Sequence, residues 1–207
     1  VLAKLKADMG SMAFAGQYLQ EPIIPGGNMV QWDWFRHTAA PPSSDYPARV
    51  IQSWDTAAKS GELNDYSVCV TALVIKDFVY ILDVFRRRLD YPDLKKAVIA
   101  LKSRWKAQTV LIEDKGSGQS LIQDLKREFI SVKAVEPSGD KVVRMSAVTA
   151  RIERGEVHLP MAADWLPDFK AELMAFPRSK HDDQADALSQ LLSYRRPRCL
   201  YTKENIG

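Results

Sequence analysis

The sequence predicts an α/β domain built on a mixed sheet, an antiparallel three-strand meander plus parallel strands, flanked by helices. Two patterns predict it. From Arg49 three β-rich runs follow one another closely, and after Phe85 short apolar runs alternate with stretches of helical periodicity. The balance of 46% hydrophobic and 27% charged residues is that of a globular protein, and 207 residues can bury a core without staples.

The first fifty residues differ from the rest. A helical stretch runs to about Tyr18, after which Pro22, Pro25, Gly26, Gly27, Pro41, Pro42 and Pro47 break regular structure. Residues 1–48 are therefore expected to form a connector. Trp32, Trp34 and Phe35 are too apolar for a free linker and should pack on a neighbouring surface, of this domain or of a missing one. Residues 49–54 read as a strand ending at Asp55, and a polar loop with Gly61 and Asn64 follows. The β-branched run 67–75 and the run 78–85 are separated by Lys76-Asp77, which suits a tight hairpin.

The pattern then changes period. Leu94, Val98, Leu101 and Trp105 mark a helix over 91–105, with Pro92 acceptable in its first turn. The wholly apolar 109–112 reads as a buried parallel strand ending at Glu113. A helix over 117–129, a strand over 132–135, a helix over 141–154 closed by Gly155, a brief strand at 157–159 and helices over 165–175 and 183–194 complete the domain, 49–194. Residues 195–207 are expected to be a loosely held tail.

Composition closes off several function classes. Cys69 and Cys199 are too few for a disulfide framework, and neither a CxxC pair nor a Cys/His zinc spacing is present. No apolar run approaches the roughly 20 residues of a membrane-spanning helix, and the N-terminus is not built like a signal peptide. A membrane location is set aside and a reducing cytoplasm is the expectation. The 29 Lys and Arg against 26 Asp and Glu give +3, which permits nucleic acid as a partner without demanding it.

The acids are more informative than the sum. Asp55 ends the first strand of the domain, and Glu113, followed by Asp114, ends the fourth. In open α/β sheets functional groups collect at the carboxyl ends of strands. Asp182, Asp183 and Asp186 gather at the start of the last helix, with Asp183 and Asp186 on one face. Each acid alone has an ordinary explanation: Asp55 capping a turn, Asp182 as helix N-cap, Asp183 favoured by the helix dipole. Together they would repel, so a converging set needs bound cations or raised pKa values. Hard oxygen donors without thiolates suit Mg²⁺ or Mn²⁺, and a pair of such ions can hydrolyse a phosphodiester. Asp55 is expected to bridge two ions, Glu113 and Asp183 to hold one each, and Asp186 to be a further ligand. Because side chains alternate along a strand, only one of Glu113 and Asp114 can face the ions, and Asp114 and Asp182 are the alternates.

The stretch Gly116-Ser-Gly118 lacks the Lys-[Ser/Thr] ending of a nucleotide-binding P-loop and reads as a tight strand-to-helix turn. Lys59, Arg86, Arg87, Lys115, Lys141 and Arg144 are the basic residues expected to track a DNA backbone, weakly selective for sequence and sensitive to salt. His37, His158 and His181 have no metal-ligand spacing, and His181 is expected to partner its acidic neighbours.

Four segments, Phe14 to Pro22, Gln52-Ser-Trp-Asp-Thr56, Ile112-Glu-Asp-Lys-Gly-Ser-Gly118 and Phe176-Pro with His181-Asp-Asp-Gln-Ala-Asp-Ala-Leu188, resemble the C-terminal nuclease domain of the large terminase subunit of tailed bacteriophages. The resemblance implies an RNase H-like fold and a metal-dependent endonuclease that cuts concatemeric double-stranded DNA during packaging in the host cell cytoplasm. It assigns Asp55, Glu113 and Asp183 as the catalytic acids and Asp186 as an added ligand in some members. It also implies an ATPase domain, a small terminase subunit and a portal as partners. No Walker A loop is present and the chain begins without Met, so it reads as a nuclease fragment whose first residues trail from that ATPase. The competing readings are a junction-resolvase or integrase-like nuclease of the same fold, and a non-catalytic module that docks DNA or portal.

Overall fold

The computed structural model describes residues 2–14, 17, 29–43, 46–56, 66–137 and 139–194. Among the described residues seven strands form one sheet, in the order β1 (Arg36–Thr38), β7 (Val157–Pro160), β4 (Phe78–Arg87), β3 (Ser67–Ile75), β2 (Ala48–Asp55), β5 (Thr109–Glu113) and β6 (Lys133–Val135). The expected meander is β2 (Ala48–Asp55), β3 (Ser67–Ile75) and β4 (Phe78–Arg87), paired antiparallel in sequence. Lys76, at φ 55°, and Asp77 make the tight turn between β3 and β4. Parallel strands extend the meander on both sides: β5 (Thr109–Glu113) beside β2 and β6 (Lys133–Val135) beside β5, with β7 (Val157–Pro160) beside β4.

Helices cover both faces because the strands alternate their apolar side chains. On one face Trp54 and Cys69 pack with Leu94, Val98 and Leu101 of α3 (Tyr91–Trp105) and Leu121 and Leu125 of α4 (Ser117–Arg127). On the other, Val68, Val70 and Ala72 meet Met145 and Ile152 of α5 (Lys141–Glu153), Phe169 and Leu173 of α6 (Leu166–Ala175) and Leu188 and Leu191 of α7 (Asp183–Ser193). Asp90 caps α3 by accepting the Asp93 N–H at 2.9 Å, and Asp140 caps α5 through Val143 at the same distance.

The N-terminal stretch departs from a continuous helix. It forms α1 (Leu2–Met9) and α2 (Ser11–Phe14), broken at Gly10, whose φ is +83°. A Cβ there would lie 2.9 Å from Ala150 Cβ, so glycine lets this corner sit against α5. Trp32, Trp34 and the buried Phe35 pack on this domain's own core. The next residues add an edge strand that the sequence pattern did not predict, β1 (Arg36–Thr38), parallel to β7. Among the described residues no helix is long and apolar enough to cross a membrane.

Candidate active site

The pairing of β2 with β5 places the first two acids. Trp54 is in register with Ile112, so Asp55 and Glu113, one position further on, end adjacent parallel strands side by side. Asp55 and Ser53 lie on the same face by strand alternation, opposite Trp54. That face is covered by α7, whose Gln190 Nε2 donates to Ser53 Oγ at 2.9 Å and to the Trp54 carbonyl at 3.2 Å. The same docking carries the N-terminal turn of α7, with Asp183 and Asp186, to the strand tips. Asp55, Glu113, Asp182, Asp183 and Asp186 all line one cleft of about 290 Å³. Glu113 rather than Asp114 lines it, and the backbone N–H of Asp114 donates to Val135 of β6.

The crowding shows in the acids themselves. Asp55 keeps some solvent contact, yet its carboxyl is held well above the usual carboxylate range, first by burial and then by Glu113, Asp186, Asp183 and Asp182. Asp183 is raised by burial and by Asp182, against the lowering influence of His181 and Arg86. Burial also raises Asp186, opposed by Arg144, whose Nη2 donates to Asp186 Oδ1 at 2.8 Å. Lys141 donates to the Asp182 carboxylate, and that bond raises the lysine's own pKa. Asp183 Oδ2 is buried and has no hydrogen-bond partner among the described residues.

Asp182 occupies the N-cap position of α7 but does not cap it with its side chain, because that carboxylate turns to Lys141. Glu172 of α6 takes the role instead, accepting the Gln184 N–H at 2.6 Å and the Ala185 N–H at 3.2 Å. The sequence carried a signal for this: Glu172 falls on the apolar stripe of Phe169, Leu173 and Phe176, where an acid needs a buried partner. His181 meets the Tyr66 ring edge-on at 5.3 Å and also acts on its acidic neighbour Asp183, whose carboxyl it draws down against burial.

The expected basic residues separate. Lys115 and Arg144 line the cleft, and Lys141 reaches it through Asp182. Arg87 is exposed, 5.7 Å from the Phe85 ring centre. Arg86 is turned inward, its guanidinium 3.9 Å over the Tyr66 ring and 3.6 Å from Glu172. Lys59 lies outside the described residues. Lys180 and the buried Thr56 also line the cleft and were not anticipated, although Lys180 directly precedes the His181-Asp-Asp run. A second groove of about 440 Å³ shares Asp55, Glu113, Arg144 and Asp186 and continues to Lys133 and Tyr194.

A family model described as the terminase RNaseH-like domain matches residues 52–195, a span containing every described acid of the cleft. The chain belongs to that family. This terminase domain is similar in fold to the large terminase of a thermophilic bacteriophage in complex with ADP, at 11% identity and a TM-score of 0.69, covering 93% of this chain and 50% of that one. It thus spans half the length of that protein. It is also similar to the large terminase nuclease of thermophilic phage G20c with bound zinc, at 19% identity and a TM-score of 0.59, covering 79% of this chain and 96% of that one. The same G20c nuclease with bound magnesium aligns at 18% identity with a TM-score of 0.58, over 78% and 93% of the two chains. No curated protein sequence matches the chain. The family and the mixed sheet agree on the RNase H-like fold, and the motif resemblance to large terminase nuclease domains is borne out.

Proposed function

We propose that this terminase domain is a divalent-metal-dependent endodeoxyribonuclease that hydrolyses double-stranded DNA, cutting concatemers as packaging starts and stops in the host cytoplasm. The observation that carries this reading is the meeting of acids from β2, β5 and the start of α7 in one cleft lined also by Lys115, Arg144 and Lys180. A binding-only surface gains nothing from carboxylates beside DNA phosphates, whose charges they repel. ATPase domain, small subunit and portal would be partners of the whole packaging machine.

The donor set fits a divalent ion. It is made of hard carboxylate oxygens, one of which, Asp183 Oδ2, is buried with no hydrogen-bond partner among the described residues, and Asp55 is destabilised as an anion by burial and by its neighbours. Among the described residues no three His, Cys, Asp or Glu side chains are already gathered to hold one ion, and Lys141 and Arg144 engage Asp182 and Asp186 meanwhile. The G20c nuclease has been seen with zinc, cobalt and magnesium, which supports a divalent site on this fold. Asp55, Glu113 and Asp183, with Asp186, are the residues that would hold Mg²⁺ or Mn²⁺, as a pair of ions. When bound, such ions supply water activation and charge neutralisation at the leaving oxygen. The chain's part is to hold these carboxylates together at one end of the sheet, where burial and their mutual repulsion favour a bound cation. Lys115, Lys180 and Arg144 give the cleft cations to hold the phosphate backbone.

Nicking of supercoiled plasmid with Mg²⁺ or Mn²⁺ and no ATP tests the reading. The native domain should cut, and Asp55→Ala and Asp183→Ala should each lose more than the roughly 100-fold typical of residues one layer behind a metal. Full activity in both variants, or none in the native protein with either ion, sinks it. A preference for branched over linear duplex would favour a junction resolvase instead.

A further inference from the structure

Glu172 is an ionisable side chain in a core position: 5% exposed, on α6 between the buried Phe169 and Leu173. Buried carboxylates persist when their oxygens are fully engaged. Its Oε1 accepts the backbone N–H groups of Gln184 and Ala185, and its Oε2 accepts Gln184 Nε2 at 2.7 Å. The first N–H groups of a helix have no partners within the helix, and its N-terminal end is electropositive. A carboxylate reaching across from α6 therefore fastens the start of α7 by charge and by hydrogen bonds together.

Arg86 stands behind this contact. Its Nη2 lies 3.6 Å from Glu172 Oε2, an ion pair whose side chains are 21% and 4% exposed. The same guanidinium covers the Tyr66 ring at 3.9 Å, and Tyr66 meets His181 edge-on. One arginine at the end of β4 thus reaches the acid-bearing turn by two routes, through Glu172 to the N–H groups of 184 and 185, and through Tyr66 to 181. Asp182 and Asp183 lie between those anchors, and Asp186 follows within the first turn of the helix. Asp183 Oδ2 has no hydrogen bond of its own among the described residues, so the backbone that carries it decides where it points.

Resting on the nuclease reading for its consequence, we infer that Glu172, braced by Arg86, is a positioning residue that aims Asp183 and Asp186 into the cleft. Neither partner lines the cleft. Arg86 belongs behind the site, not on a DNA-tracking surface, and the buried charge is kept because an apolar side chain could not accept three hydrogen bonds at this place.

The test is Glu172→Gln in the whole chain, which keeps the shape but turns an NH₂ toward the donors Gln184 Nε2 and Arg86. Mn²⁺ affinity, read by electron paramagnetic resonance, should fall about 10–100-fold. Hydrogen exchange at the Gln184 and Ala185 amides should quicken, while DNA affinity without divalent ion stays unchanged. The exchanged pair, Glu172→Gln with Gln184→Glu, restores complementary groups and should recover most of the Mn²⁺ affinity. A merely structural role would lower the melting temperature and leave Mn²⁺ affinity of the folded protein untouched, and that result overturns the inference. If the native protein binds no Mn²⁺, the nuclease reading fails, but amide exchange still judges the clamp: unchanged protection at 184 and 185 refutes it, and lost protection upholds it. Should Glu172→Gln not fold, Arg86→Lys takes its place, since lysine keeps the charge but loses the planar stack on Tyr66. It should weaken Mn²⁺ binding, and no change overturns the inference.

Discussion

Asp55 binds its proton more tightly in the folded protein than in the unfolded chain, because burial and four neighbouring carboxylates oppose its charge. A group with a raised folded pKa contributes stability that is fully present below its unfolded value and is lost as pH rises through the folded value. Asp183 and Asp186 are shifted in the same direction, so the three act together. Without divalent ions, Asp55→Asn should therefore melt above the native protein at pH 8, and the gap should close toward pH 4. Relief of about 1 kcal/mol would appear as a rise of roughly 2–4 °C in a domain of this size. Cutting should be lost in the same variant. Thermal melts in chelator from pH 4 to 8 check this, and a variant less stable than native at pH 8 would refute it. Added Mg²⁺ should raise the native melting temperature by mass action, more at high pH, where protons compete less for the carboxylates. The residues behind this were readable from strand ends and helix spacing alone. The choice of Glu113 over Asp114 was not, because it depends on the strand register that sets which side chain faces the cleft.

The start of α4 governs how closely that helix approaches the tip of β5. A Cβ on Gly118 would sit 2.1 Å from the Glu113 carbonyl oxygen, a backbone atom with no room to yield. Gly118→Ala should push α4 off the end of β5, lowering stability by about 1–3 kcal/mol and misplacing Glu113. Denaturant melts should show the loss, and nicking should fall with it. A variant as stable and active as native would mean that the helix start has slack. Ser117 Oγ, which donates to Thr56 Oγ1 at 3.0 Å, ties the same helix start to the loop after β2. The glycine-bearing turn and the helix beyond it followed from pattern, as did the meander and α3, whose apolar spacing is regular. β1 did not, because Arg36–Thr38 is short, lies amid prolines and owes its strand form to pairing with β7. For the N-cap of α7 the sequence offers the nearest acid, Asp182. A side chain from α6 won the position because Lys141 claims that aspartate.

Across the molecule a near-neutral charge total hides a strong local separation, with carboxylates in the depth of the cleft and Lys115 and Lys180 exposed along it. The cleft sits at the tips of β5 and of β2, which has an antiparallel neighbour on one side and a parallel one on the other, beside the start of α7. Strand tips from the centre of a sheet packed on both faces have little freedom, which suits groups that must meet within narrow limits. DNA lying across such a cleft would be held by its phosphates, because Lys115 and Lys180 stand exposed on loops beside it and Arg144 of α5 is paired with Asp186. Lys115→Ala and Lys180→Ala should each weaken duplex binding by a similar factor whatever the base sequence. Each should reduce the slope of log K against log salt by about one. Fluorescence anisotropy with two unrelated duplexes, across a KCl series and in an Asp55→Asn background that prevents cutting, measures both quantities. Loss on only one duplex would mean base recognition. An unchanged slope would place the DNA elsewhere on the surface, away from the acids.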